Sequence, residues 1–228
     1  IDGFRYVKGY SVYSECSYVV PTDRSPLNRQ TPKEAECDDV KLHLRADTLY
    51  DIADFSGNEN ITVVDGLVKD DLNFVLNGSS SISLSGQGVV TVTNDEFQDF
   101  GTYTSPITYE TWLKPPTTQP NNSNGIQILN SQPIVVFVSH ESITLIVTCM
   151  VNGVTPHTER IVIPVTGGEW LHLAITHPSH KTWNVYLNGE RVAFKTFNFD
   201  LTYLYMNQIS VGATQSVNST AYIDDLRI

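Results

Sequence analysis

The chemistry open to this sequence depends on which nucleophiles and metal ligands it places together. It contains no Gly-x-Ser-x-Gly segment, in which a serine nucleophile would stand on a sharp turn. Cys149 ends an apolar alternation that begins at Ile143, and apolar surroundings keep a thiol protonated and inert. The sequence therefore indicates neither a serine hydrolase nor a thiol enzyme.

The histidines and carboxylates give little further indication of a catalytic or metal-binding site. His177 and His180 have the spacing of a metal-binding pair, but no third ligand stands beside them in the sequence. We interpret them as polar residues on a surface turn. Asp70-Asp71 and Asn94-Asp95-Glu96 lie in turn-like segments, where carboxylates are usually solvated.

The three cysteines have different settings. Cys16 and Cys37 bracket an irregular segment that contains three prolines, and we expect a disulfide between them, with Cys149 as a buried free thiol. Closing a loop of that length stabilises a chain by roughly 3 kcal/mol in the chain-entropy description. This pairing favours an extracellular compartment. The alternative is that all three cysteines are reduced in a cytosolic protein.

Four sites fit the acceptor pattern Asn-x-Ser/Thr, at Asn60, Asn77, Asn121 and Asn218. Matches at this number are close to what chance gives, but their positions in turn-like segments favour glycosylation. They agree with secretion to the extracellular space or cell surface.

The charge of the chain excludes some partners. The 228 residues carry a formal net charge of −11, and an acidic surface repels nucleic-acid phosphates and anionic lipids. No apolar run has the length that a transmembrane helix needs. We therefore expect no nucleic acid and no membrane insertion. The chain has no initiating Met, and we interpret Ile1 as the start of a processed or excised chain.

The sequence predicts that β-strands position the candidate residues named above. Leu171, Leu173 and Ile175 stand at every second position, which puts them on one face of a strand. Pro178–Lys181 ends that strand, and Asn188-Gly189 supplies the two positive φ angles of a two-residue hairpin. About a dozen similar short runs recur along residues 41–228, and no window combines a 3.6-residue period with helix caps. The pattern predicts a sandwich or barrel with almost no helix.

Residues 1–40 have a different texture. Tyr6, Tyr10, Tyr13 and Tyr18 recur among polar residues, and prolines then interrupt any regular element. We expect an irregular N-terminal extension, stapled by the disulfide and packed on one main domain at residues 41–228.

Six segments stand in a fixed order along that domain. They are Leu42-His-Leu-Arg-Ala-Asp47 with Asp54-Phe-Ser-Gly57-Asn58, Leu72-Asn-Phe-Val-Leu-Asn-Gly78, Ile107-Thr-Tyr-Glu110-Thr-Trp112-Leu-Lys-Pro115, Trp170-Leu-His172-Leu-Ala174, Val185-Tyr-Leu-Asn188-Gly189 and Ile223-Asp224-Asp225-Leu-Arg227-Ile228. In this order they resemble the concanavalin A-like, laminin-G-like jelly-roll family. The resemblance implies an all-β, two-sheet antiparallel jelly-roll sandwich. It does not decide the function, because this architecture hosts lectins, adhesion modules and glycosidases.

The resemblance also implies a calcium site. Laminin-G-like relatives often hold one Ca²⁺ where the first and last strands meet, and Asp47 and Asp224 occupy the matching positions, with Asp51 and Asp225 nearby. Calcium takes six to eight oxygen ligands, and an ion here would be structural. The alternative is that Asp224 caps loop amides and Asp47 faces solvent.

A sugar site is implied on one sheet face. Glu110, Trp112, His172 and Tyr186 would supply aromatic stacking surface and hydrogen-bonding groups if they share the concave sheet; alternatively, such aromatics only fill space beneath covering loops. Glycosidases of the wider fold carry a Glu-x-Asp-x-Glu strand, and here Glu110 has no second acid on its strand. We therefore expect no enzyme.

The function expected from this resemblance is a non-catalytic, extracellular lectin-like or adhesion module that binds carbohydrate or an extracellular protein. One alternative is a structural subunit or domain of a larger surface assembly, whose residues 1–40 dock on a neighbouring subunit. A glycosidase with unfamiliar acids is the other alternative.

Overall fold

The computed structural model describes residues 42–46, 52–54, 61–66, 68–70, 80–85, 88–93, 107–122, 124–131, 134–151, 155–179, 181–197, 201–202, 208–213 and 217–228. Several predictions from the sequence lie outside the described residues. These are the Cys16–Cys37 disulfide, the acceptors Asn60 and Asn77, the calcium ligand Asp47, the form of residues 1–40 and the family-like segment at 72–78.

The described residues form seventeen β-strands and no helix. In chain order the strands are β1 (His43–Arg45), β2 (Ala53–Asp54), β3 (Ile61–Asp65), β4 (Val68–Asp70), β5 (Ser81–Leu84), β6 (Gly88–Thr93), β7 (Ile107–Lys114), β8 (Ile126–Ser131), β9 (Ile134–Val138), β10 (Ser142–Val151), β11 (Thr155–Pro164), β12 (Leu171–Ser179), β13 (Thr182–Leu187), β14 (Glu190–Thr196), β15 (Leu201–Thr202), β16 (Gln208–Ala213) and β17 (Ala221–Arg227). Consequently, the part of the chain that is described holds no helix long and apolar enough to cross a membrane.

The strands pair into two antiparallel sheets. The first sheet has nine strands in the order β14-β13-β12-β7-β17-β1-β2, with β5 beside β17 and β4 beside β5. The second sheet has eight strands in the order β11-β10-β9-β8-β16-β6-β3, with β15 beside β10. The predicted all-β, two-sheet sandwich is confirmed.

The apolar core consists of the inward side chains of both sheets. Leu113 on β7, Ile175 on β12 and Trp183 on β13 are buried at alternating positions of their strands, and burying one such side chain contributes about 1.5–3 kcal/mol. Tyr109 is also buried, and the hydroxyl group of Ser131 donates to its hydroxyl oxygen at 3.4 Å. Burial raises the pKa of Tyr109 to about 12, against the opposing effect of this hydrogen bond.

The first and last described segments lie side by side. The backbone N–H of Leu42 donates to the carbonyl oxygen of Ile228 at 3.1 Å, and the N–H of Ile228 donates to the carbonyl oxygen of Leu42 at 2.9 Å. β1 and β17 continue this pairing, with His43 opposite Arg227. The ladder therefore joins the two ends of the main domain, as a closed jelly roll requires.

One interpretation from the sequence is wrong. His177 does not lie on a surface turn, because β12 continues past Pro178 to Ser179. Its side chain is buried on the inner face, opposite Ile107. The imidazole stacks on Trp183 with ring centroids 4.4 Å apart, which accounts for a histidine in an apolar strand.

A β-bulge changes the alternation of β14. The register shifts between Val185 and Tyr186, so that Ala193 lies opposite Val185 and Arg191 lies opposite Tyr186. Arg191 and Phe194 therefore share the outer face of the first sheet. The guanidinium carbon of Arg191 lies 5.4 Å from the centre of the Phe194 ring.

Candidate functional site

The four predicted sugar-binding residues lie on the outer face of the first sheet, the face turned away from the core. His172 on β12 lies opposite Trp112 on β7, and Ala174 lies opposite both Glu110 on β7 and Tyr186 on β13. Because directly opposed strand residues point to the same side, all four side chains share this face. They occupy two neighbouring rows across three strands.

Trp112 and His172 form the aromatic part of the site. Their ring centroids are 5.0 Å apart at an interplanar angle of 66°, an edge-to-face contact that aromatic rings favour. Both residues are half-buried. The contact therefore fixes the geometry of an aromatic surface, and both rings still carry polar N–H groups.

Glu110 lies beside this pair, in the neighbouring row of the same face. The residue is only 3% exposed, and its Oε2 is 3.8 Å from Nε2 of His172. This separation is beyond hydrogen-bonding range, so the two groups interact by charge whenever the imidazole is protonated. Glu110 thus lies close enough to interact with a charged His172 and offers little surface to a ligand.

The hairpin after β13 fixes the backbone of His172. The N–H of Asn188 donates to the carbonyl oxygen of His172, and Oδ1 of Asn188 accepts from the N–H of His172, both at 2.8 Å. Asn188 and Gly189 have φ angles of 50° and 83°, which confirms the predicted Asn-Gly turn. The turn therefore also acts as a clamp on the candidate site.

Two further residues extend the face beyond Trp112. Tyr222 on β17 lies opposite Lys114 on β7, and both are half-buried. Burial lowers the pKa of Lys114. The alternation of β7 could have identified Lys114, which stands two positions after Trp112. It could not have identified Tyr222, because the sequence does not say that β17 is the neighbour of β7.

A second carboxylate lies close to Glu110 in the register. Asp224 on β17 is opposite Trp112, one row from Glu110, and is 1% exposed. Paired carboxylates are the machinery of glycosidases, and the sequence reading did not pair these two. Both are nearly inaccessible, so a sugar bound above Trp112 would not reach them without a rearrangement.

Asp225 forms an ionic contact at the junction of β1 and β17. Its φ angle of 54° is left-handed, and its Oδ1 lies 2.5 Å from Nε2 of His43, while Nη2 of Arg227 is 3.1 Å from its Oδ2. Burial raises the pKa of Asp225. The hydrogen bond from His43 and the charges of Arg227, His43 and Arg45 outweigh burial and hold the pKa well below its usual range.

Asp225, the acid next to the predicted calcium ligand Asp224, is already engaged by other groups. Both carboxylate oxygens of Asp225 already accept from nitrogen donors. In the described ranges, no three His, Cys, Asp or Glu side chains gather into a metal-binding group. Calcium at Asp224 stays a prediction that depends on Asp47.

Two predicted glycosylation sites meet on one surface. The backbone N–H of Asn121 donates to Oδ1 of Asn218 at 2.8 Å, and both residues are exposed. Asn218 also has its Oδ1 within 3.4 Å of the hydroxyl group of Ser219. Because these contacts hold the side chain of Asn218, we expect Asn121 to be the more accessible acceptor of the two.

Solved structures share this fold. They include botulinum neurotoxin type C, described by its dependence on two ganglioside molecules for cell entry (16% identity, TM-score 0.62). They also include the ligand-binding domain of serotype D with N-acetylneuraminic acid (18%, 0.64) and the receptor-binding domain of neurotoxin D (17%, 0.65). Each match covers 83% of this chain and 47%, 47% and 48% of the respective neurotoxin chain. The chain thus spans about half of these proteins, and identities this low show the fold alone.

The family comparison covers the larger part of the chain. No curated protein matches it, but a model of the concanavalin A-like lectin/glucanase superfamily, of the laminin G type, matches residues 84–228. This range includes β7, β12, β13 and β17, the strands that carry the candidate site. Because the match spans more than half of the 228 residues, the chain belongs to the concanavalin A-like lectin/glucanase superfamily.

Proposed function

We propose that this chain is a non-catalytic lectin-like module that binds glycan on the outer face of its first sheet. The observation that supports this proposal most directly is the edge-to-face pair of Trp112 and His172. The pair is half-buried, and Asn188 fixes the backbone of His172. The C–H face of a sugar ring packs on an aromatic surface, while its hydroxyl groups need donors and acceptors beside it. Trp112 supplies the aromatic surface, and His172 and Tyr186 supply the donors and acceptors.

Ala174 shapes the site between these groups. It separates Tyr186 from Glu110 in one row, and its methyl group is small. The surface of this row is therefore lower at Ala174, its centre, than at Tyr186. The edge of a sugar ring fits such a step. Glu110 acts as a positioning residue for His172.

The solved structures support the ligand class. Botulinum neurotoxin type C interacts with two ganglioside molecules, and the ligand-binding domain of serotype D is in complex with N-acetylneuraminic acid. Since this chain corresponds to about half of each toxin fragment, they support carbohydrate in general and no particular sugar or subsite.

The test is a glycan array with the wild-type protein, Trp112→Ala and Phe194→Ala. Phe194 is the matched control because it is an aromatic residue on the same face, 61% exposed, three strands and several residues from Trp112, roughly 20 Å away. We expect Trp112→Ala to lose binding to every glycan that the wild type retains, and Phe194→Ala to keep it. Equal loss in both variants, or retention in Trp112→Ala, would place the site elsewhere.

The absence of catalysis is part of the proposal. Glu110 and Asp224 are 3% and 1% exposed, and a glycosidase acid must contact the glycosidic oxygen. We expect no release of reducing ends from polymeric sugars and no cleavage of chromogenic glycosides. Turnover that disappears in Glu110→Gln or Asp224→Asn would make the protein a glycosidase.

We also propose an extracellular location. Its support is the Cys16 and Cys37 spacing together with the exposed acceptor at Asn121. Peptide mapping without reductant should recover Cys16 linked to Cys37, and a glycan should be found on Asn121 when the chain is expressed through a secretory pathway. Alkylation of both cysteines without reductant would remove the main support.

A second candidate function is a structural subunit of a larger surface assembly. The observation that favours it is the edge strand β14, where Phe194 and Val192 are 61% and 43% exposed, since exposed apolar residues at a sheet edge suit a protein contact. Light scattering during size exclusion should then show association that Phe194→Asp abolishes. If the mass stays that of a monomer at every concentration, this second candidate is removed and the lectin-like function is the one that remains.

A further inference from the structure

A second concave surface lies on the opposite side of the sandwich, on the outer face of the second sheet. A cleft of about 380 Å³ is lined there by Gln119, Glu141, Ser142, Thr144, Arg160 and Val162, among others. Its volume is within the range of about 300–1,000 Å³ that small-molecule sites occupy. The void under Tyr109 in the core is only about 10 Å³. Of these two cavities, the cleft is the one large enough to hold a ligand.

The loop at residues 115–122 forms one wall, and close backbone contacts fix it. A Cβ atom at Gly167 would lie 2.1 Å from the carbonyl oxygen of Pro116. Gly125, whose φ angle is 93°, leaves room for the carbonyl oxygen of Val138, which would be 2.4 Å from an added Cβ atom. Only glycine allows these approaches, so the loop is held against Gly167, and the start of the following strand is held against Val138.

The turn between β9 and β10 forms the opposite wall. The N–H of Ser139 donates to the carbonyl oxygen of Ser142 at 2.8 Å, and Oγ of Ser139 accepts from the N–H of Ser142 at 3.0 Å. His140 links this turn to the loop, because its Nδ1 donates to Oε1 of Gln119 at 2.7 Å. Gln119 thus keeps its amide nitrogen as a further hydrogen-bond donor in the lining of the cleft.

The two charged side chains that line the cleft, Glu141 and Arg160, differ in their ionic partners. The carboxylate of Glu141 is 3.0 Å from Nε2 of His140, so an imidazole stands beside it. Arg160 on β11 is exposed and makes no ion pair with any described residue. Its guanidinium is a planar, permanently charged donor fork that matches a carboxylate in two hydrogen bonds.

The remaining lining suits a sugar ring. Thr144 and Ser142 contribute hydroxyl groups from β10, and Thr144 is nearly buried at the base of the cleft. Val162, opposite Thr144 in the register, is 55% exposed and provides an apolar surface. Hydroxyl groups, an amide, an apolar patch and the cation of Arg160 are complementary to a ring that carries both hydroxyls and an acid, and the one carboxylate among the lining residues, Glu141, lies against the imidazole of His140.

We propose that this cleft is a second binding site, for a saccharide unit that bears a carboxylate, with Arg160 as the residue that pairs with the acid. Gln119, Ser142 and Thr144 bind the hydroxyl groups of the ring, and Val162 packs on its C–H face. The site is independent of the proposed function of the first sheet, because none of its residues belongs to that sheet.

The test uses glucuronic acid, with glucose as the neutral counterpart, titrated into the isotopically labelled chain and followed by amide chemical shifts. We expect saturable shifts at residues 119, 141–144 and 160–162 with glucuronic acid, and binding at least ten-fold weaker with glucose. Arg160→Gln should weaken glucuronic acid binding about ten-fold, which is about 1.4 kcal/mol, and leave glucose unchanged. Arg191→Gln, an exposed arginine on β14, is the matched control and should behave as wild type.

Three results would overturn the proposal. They are the absence of saturable shifts at these residues, equal affinity for the acidic and neutral sugars, and equal weakening by Arg160→Gln and Arg191→Gln. The variant Trp112→Ala should leave the titration unchanged. A loss of array binding in that variant, with the cleft intact, therefore separates the two sites, and each can fail without the other.

Discussion

The two outer faces of the sandwich differ in where they keep their charges. On the first sheet, His43, Glu110 and Asp224 are at most 3% exposed. In the cleft of the second sheet, the side chain of Glu141 is 78% exposed, and Arg160 is exposed as well. Removing one partner of a buried ionic contact leaves the other without compensation, whereas water and salt screen an exposed pair.

This difference separates two ways of building a binding surface. On the first face the buried Glu110 lies 3.8 Å from His172 of the aromatic pair, so the geometry of that pair and the stability of the fold share a charged group. The cleft holds its walls with backbone hydrogen bonds and glycine contacts, so its charged groups can change without unfolding the chain. Substitutions on the two faces should therefore affect different measurements.

The largest expected effect comes from the ionic junction beside the first face. Asp225→Asn removes the charge between His43 and Arg227 but keeps a residue that tolerates a left-handed φ angle. We expect a loss of about 3 kcal/mol in the free energy of unfolding, measured by urea denaturation. The exposed counterpart Glu141→Gln should change it by less than about 0.5 kcal/mol. Similar losses in both variants would contradict the comparison.

The same carboxylate gives a prediction for pH. The pKa of Asp225 is lower in the folded chain than its ordinary value of 3.8, so below about pH 4 the unfolded state binds the proton first. The stability contributed by Asp225 is complete above that pH and is lost as the pH falls toward the folded-state pKa. Wild type should therefore lose its advantage over Asp225→Asn on acidification. A constant difference between them from neutral pH down to about pH 2 would argue against this assignment.

A smaller effect is expected where charge supports ligand binding. Glu110→Gln keeps the size of the side chain but removes the charge near His172. We expect glycan affinity to fall by roughly five-fold, about 1 kcal/mol. A double-mutant cycle with His172→Gln should show coupling between the two residues. Purely additive losses would mean that Glu110 does not act through His172.

The smallest effect should come from an exposed pair between the two sheets. Nζ of Lys195 on β14 lies 3.2 Å from Oε1 of Glu159 on β11, and both side chains are more than a quarter exposed. Hydrogen bonds from Lys195 and His157 lower the pKa of Glu159. Lys195→Ala should cost only about 0.3 kcal/mol, less in high salt, by the same denaturation assay. A cost above about 1 kcal/mol would show that the open edge is less screened than its exposure indicates.

Local patterns predicted much of the first sheet. The period-two alternation of Leu171, Leu173 and Ile175 predicted the strand that is β12, and the Asn188-Gly189 turn has the φ angles that the residue types indicate. These features depend on neighbours in the chain, and the sequence shows those directly. The shared face of Trp112 and His172 followed once the family's strand order was assumed.

The features that the sequence did not predict arise from long-range pairing. The β-bulge at Val185 and Tyr186 and the left-handed Asp225 each change the alternation by local geometry that residue type does not require. His177 is buried because Trp183 of the next strand stacks on it. The cleft combines a loop, a turn and two strands through Gln119 and Arg160, and no local pattern indicates that these residues meet.

The reciprocal backbone hydrogen bonds between Leu42 and Ile228 have a practical consequence. A body whose entry and exit points touch can be grafted into a surface loop of a host protein without separating the flanking host segments. A circular permutant of residues 42–228 that joins Leu42 to Ile228 through a short linker should therefore keep β1 and β17 paired.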